Sequence, residues 1–102
     1  MSLKKRFLKS KPVCKVTFRL LKEAAGEAET ACVVGDFNGW GEAATPMRKL
    51  KKGDFTVTVD LETGQEYQFR YLLDGDNWVN DEGADKSVPT EYPDVENSVV
   101  VV

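Results

Sequence analysis

The 102-residue chain contains no histidine. That absence removes Ser–His–Asp triads, the common histidine zinc sites and the usual acid–base catalyst of neutral pH. Cysteine is nearly absent too. Cys14 and Cys32 fit no Cys-x-x-Cys pattern, and without a histidine to activate them neither is a ready nucleophile. There is no phosphate-binding glycine loop and no dinucleotide fingerprint. No apolar run is long enough to cross a bilayer, and the charged opening Met1-Ser2-Leu3-Lys4-Lys5-Arg6 is not followed by the apolar stretch of a secretion signal. The expected location is therefore cytoplasmic, with both thiols reduced. No cofactor and no metal are expected.

Charge of one sign is missing from the first 22 residues, which hold eight bases and no acid. In the remaining 80, six bases stand against all 17 acids. A basic arm on an acidic body has the means to reach nucleic acid or an anionic membrane. No basic stripe continues into the body, so neither partner is expected, and residues 1–11 read as a solvated basic arm. Residues 12–102 then form one domain, long enough to bury a core without disulfides or metals.

Acids are plentiful, and paired carboxylates can hydrolyse glycosidic bonds. The densest group, Asp74, Asp76, Asp81, Glu82 and Asp85, falls in turn-forming sequence where acids are ordinarily solvated. Asp74-Gly75-Asp76 lacks the remaining ligand spacing of a calcium loop. The chain is expected not to be an enzyme.

What the sequence does have is period-2 alternation. Cys14–Leu20 places Cys14, Val16, Phe18 and Leu20 on one side, and Phe55–Leu61 repeats the pattern. Glu66–Leu73 sets Tyr67, Phe69, Tyr71 and Leu73 against Gln68, Arg70 and Leu72. Shorter strands are expected at residues 30–35, 45–50, 78–79 and 98–102, with loops over 22–29 and 81–97. About seven short antiparallel strands with frequent turns predict an all-β, immunoglobulin-like β-sandwich.

Trp40 and Trp78 fall in loop-like or turn-adjacent positions, outside the alternating core sets. A flat indole face stacks on a pyranose ring, and its N–H can bond a hydroxyl at the edge. Exposed tryptophan also anchors protein interfaces. Arg70, out of phase with the apolar face of its strand, offers a fork of donors.

The run Val34-Gly35-Asp36-Phe37-Asn38-Gly39-Trp40 resembles the Gly-x-Phe-Asn-x-Trp turn of the family-48 carbohydrate-binding modules. Tyr67-Gln68-Phe69-Arg70-Tyr71-Leu72-Leu73-Asp74-Gly75, Trp78 and Glu96-Asn97-Ser98-Val99-Val100 follow in the family's order. That family includes the N-terminal early-set domains of isoamylases and glycogen-branching enzymes, and the glycogen-binding domain of the AMP-activated protein kinase beta subunit. The resemblance implies non-catalytic binding of α-glucan, that is glycogen or starch-like malto-oligosaccharide. Trp40 and Trp78 would stack on glucose, with Arg70 and Asn97 bonding hydroxyls. The chain departs from the kinase domains at Tyr92-Pro93-Asp94-Val95, where they carry a leucine that inserts into the glucan helix, and a threonine. The alternative is a protein-interaction or regulatory domain associated with a glycogen-metabolising enzyme or a kinase-like partner.

Overall fold

A computed structural model of the chain describes residues 3–92 and 95–102. Among them nine strands form: β1 Leu3–Phe7, β2 Val13–Leu20, β3 Ala31–Gly35, β4 Arg48–Lys49, β5 Phe55–Glu62, β6 Glu66–Leu73, β7 Asn77–Val79, β8 Lys86–Pro89 and β9 Glu96–Val101. They build two antiparallel sheets, one in the order β1-β2-β5-β4, the other β3-β6-β9-β8 with β7 also on β6. The all-β sandwich read from the alternation is the fold.

The inward residues of both sheets meet in one core. Val16, Phe18 and Leu61 face Val33, Phe69, Tyr71 and Val100 there, all nearly inaccessible. Phe69 packs edge-on against Phe18 at 5.0 Å and against Tyr71 at 5.7 Å, the T-shaped geometry that aromatic quadrupoles favour. Glu66–Leu73 is a strand to the residue, because its alternation is the longest and most aromatic in the chain.

Four expectations are corrected. Residues 3–7 are not a solvated tail but an edge strand: Leu3 lies opposite Phe18 in the core, while Lys4 and Arg6 point away from it. Lys5 Nζ meets Asp85 Oδ2 at 2.6 Å, tying this edge to the second sheet. Residues 22–29 contain a one-turn helix, α1 (Lys22–Ala25), started by Lys22 N–H donating to Asp54 Oδ1 at 2.8 Å. Residues 81–97 hold β8, which pairs with β9 despite having Val88 as its one apolar residue before Pro89.

The fourth correction concerns Asp81, which is buried rather than solvated. Its Oδ2 accepts from the Tyr71 hydroxyl at 2.7 Å, its Oδ1 from Gly83 N–H at 2.8 Å, and its own N–H donates to Ser98 Oγ at 2.8 Å. Burial, then the Asp81 charge, pushes the Tyr71 hydroxyl far above the ordinary tyrosine range, so its proton stays in place as a donor. Both cysteines are free thiols, and burial raises Cys32 above the usual thiol range.

Candidate functional site

The site begins at the turn after β3. Gly35 is held there by close packing: a Cβ at this position would lie 2.4 Å from Gln68 O and 2.8 Å from Phe69 Cβ. A 3₁₀ turn, Asp36–Asn38, follows. Asn38 fastens it: Oδ1 accepts from Gly35 N–H at 3.0 Å, and Nδ2 donates to Val33 O and Thr45 Oγ1, both at 2.9 Å. Gly39 then takes a left-handed conformation, and Trp40 continues it at φ 59°. A bulky residue there costs about 1–3 kcal/mol, and such strain gathers at binding sites. Two hydrogen bonds hold the residue in place, from Trp40 N–H to Gly35 O and from its indole Nε1–H to Asp36 Oδ1, each 2.9 Å.

Asp36 reaches further. Its second oxygen, Oδ2, accepts from the backbone N–H of Gln68 on β6 at 2.8 Å. Gln68 Oε1 in turn accepts from Asn97 Nδ2 at 2.9 Å, and Asn97 Oδ1 accepts from Arg70 Nε at 2.7 Å. The Arg70 guanidinium lies over the Trp78 indole, 5.5 Å from its centroid, a cation–π contact. One connected path thus runs from Trp40 to Trp78 through Asp36, Gln68, Asn97 and Arg70.

Strand pairing explains how these residues meet. One edge of β6 serves two partners in succession, β9 along Glu66–Phe69 and β7 along Tyr71–Leu73. Arg70 sits at the changeover, with Asn97 from one partner and Trp78 from the other. Its side chain faces away from the core, as the alternation predicts. Beneath this face Val34, Leu72 and Val99 are buried outside the inter-sheet cluster, giving the polar residues a firm apolar floor.

Trp40, Arg70 and Asn97 line one shallow depression of about 340 Å³, together with Thr90, Glu91 and Tyr92. Trp78 adjoins it through Arg70 and is exposed. Two details differ from the sequence reading. Trp40 is half-buried, with its indole N–H already given to Asp36 rather than free for a ligand. Asn97 is buried, and both ends of its amide are engaged within the protein. Of the divergent segment 92–95, Pro93 and Asp94 lie outside the described residues. Tyr92 is 66% exposed, the most open large apolar side chain described, and its loop is closed by Thr90 N–H donating to Val95 O at 3.1 Å.

Sequence reasoning missed Asp36 and Gln68. A larger depression, about 520 Å³, lies elsewhere, between Leu20–Ala24 and Val79–Glu82. It is rimmed by Glu23, Asp81 and Glu82 and has no aromatic ring, so it lacks a surface on which a sugar could stack. The described residues contain no group of three acids or thiols arranged to hold a metal ion.

Residues 23–102 match the family model described as the glycogen recognition site of AMP-activated protein kinase. The chain belongs to this family. No curated protein sequence matches it. The family match begins at Glu23, so strands β1 and β2 lie outside it, whereas every residue of the Trp40–Trp78 path lies within it.

Proposed function

We propose that the chain binds α-glucan, glycogen or starch-like malto-oligosaccharide, without catalysing its cleavage. The observation that carries this reading is the bonded path joining Trp40 to Trp78 across a shallow face, in a chain of the glycogen-recognition family. In this reading glucose rings stack on the indoles. The guanidinium nitrogens that Arg70 does not give to Asn97 donate to sugar hydroxyls. Asn97 serves by aiming Arg70, and Asp36 by fixing the plane of Trp40. An open face with two stacking rings and a few donors supports affinity of roughly micromolar to millimolar Kd. Two acids favour binding over hydrolysis: Asp36 uses both oxygens within the protein, and Glu91 has no partner carboxylate among the described lining residues.

Affinity electrophoresis in glycogen-containing gels tests the proposal. The unaltered chain is retarded. Covering an indole removes on the order of 60 Å² from water, about 1.5 kcal/mol, so Trp40→Ala and Trp78→Ala each weaken binding about tenfold. Unchanged mobility of the wild-type chain, or retardation that survives the double substitution, refutes it.

A further inference from the structure

The sheet on the far side of the sandwich carries a second surface. Its outward residues form three cross-strand rows set by the register: Lys4–Thr17–Thr58, Arg6–Lys15–Asp60 and Arg19–Thr56–Arg48. Four of the eight bases in the first 22 residues, Lys4, Arg6, Lys15 and Arg19, thereby share one face with Arg48, directed away from the face that holds Arg70 and Trp78. Two of them are compensated, Lys15 by Asp60 at 3.0 Å and Arg19 by Asp54 at 2.8 Å. Lys4, Arg6 and Arg48 form no ion pair among the described residues. Lys4 and Arg6 stand on β1 and Arg48 on β4, edge strands about 14 Å apart at the usual strand spacing, with Arg48 offset along the strands by one row from Lys4 and by two rows from Arg6.

We infer that this face is a docking surface for an acidic protein surface, one that presents carboxylates to both edges of the sheet at once. Charge complementarity selects the class of partner. The planar forks of Arg6 and Arg48 suit bidentate pairing with carboxylates, and the threonine hydroxyls between them add donors and acceptors. Asp60, in the outer row it shares with Arg6 and Lys15, makes the pattern mixed, which a patterned protein partner can match and a uniformly anionic lipid surface cannot. Among the nine residues of the three rows none is aromatic, so unpaired nucleic-acid bases have no stacking platform. A chain with this surface on one side and the proposed glucan site on the other joins an acidic protein to polysaccharide.

A fluorescein-labelled glutamate-rich peptide carrying one lysine, to meet Asp60, is the probe, its anisotropy followed with the full chain at low salt. Two double variants change net charge equally, Arg6→Glu/Arg48→Glu on the face and Lys51→Glu/Lys52→Glu in the β4–β5 turn. The first is expected to weaken peptide binding about tenfold or more, and the second less than about threefold, with both folded by circular dichroism. Equal weakening in the two, or no binding to the unaltered chain, overturns the proposal. So does tighter binding to phosphatidylserine vesicles or duplex RNA than to the peptide. Glycogen retardation is expected to persist in Arg6→Glu/Arg48→Glu. Its loss there would merge this face with the glucan site and likewise refute the inference, whereas failure of the wild-type chain to bind glycogen bears only on the glucan reading.

Discussion

Trp40 holds its place against its own backbone preference, and Asp36 is the group that makes this tolerable. The carboxylate accepts from the indole on one side and from strand β6 on the other, so ring orientation and strand position are fixed together. Asp36→Ala should weaken glycogen retardation about tenfold and shift the tryptophan emission to the red, while Asp36→Asn, which keeps one carbonyl acceptor, falls between the two. An unchanged affinity in Asp36→Ala would mean that Trp40 needs no such guide. That Trp40 and Trp78 lie in or beside turns and that Arg70 points outward was legible in the sequence, because large aromatics near turn residues and a charge on the outward phase of a strand are conspicuous. Asp36 and Gln68 were not: an aspartate between glycine and phenylalanine reads as a turn former, and an outward glutamine has no signature until the β3–β6 register brings it beside the turn.

At the scale of elements, the strands that were legible are those whose side chains decide their burial. Strands β2, β5 and β6 alternate over eight residues each, and the pattern alone sets their inward faces. Strands β1 and β8 were not legible, since each is held by a neighbour's hydrogen bonds more than by its own apolar residues. The contact between β3 and β6 depends on a residue without a side chain. Gly35 is in extended backbone, so the obstacle to replacing it is space alone. Gly35→Ala should therefore lower stability by about 2–4 kcal/mol in urea unfolding, because its Cβ would press on the backbone of β6 and not on a movable side-chain tip. A loss below about 0.5 kcal/mol would show that the strands separate freely.

For the whole molecule, two carboxylates that tie distant segments are expected to set the response to acid. The hydrogen bond from Arg19, then that from the Lys22 backbone, holds Asp54 below the usual carboxylate range. Backbone donors of Thr30, then Glu29, do the same for Asp74, binding the β6–β7 hairpin to the start of β3. A folded-state pKa below the unfolded one gives stability that is full above the unfolded value and lost as pH falls through the folded one. Thermal midpoints should accordingly hold from neutrality down to about pH 5 and drop below about pH 4. Asp54→Asn/Asp74→Asn should start lower and fall less. An equally steep fall in the variant would place the acid sensitivity in other groups.

The Thr90–Val95 bond closes the loop beside the Trp40–Arg70 depression without drawing on the Trp40–Trp78 path. Its tip is in effect an exchangeable cassette. Doubling the length of such a loop costs only about 0.6 kcal/mol of closure entropy, which a domain of this size can absorb. On the glucan-binding proposal, selectivity can therefore diversify from descendant to descendant by rewriting the tip that Tyr92 now occupies, while the sandwich and its two indoles are inherited unchanged.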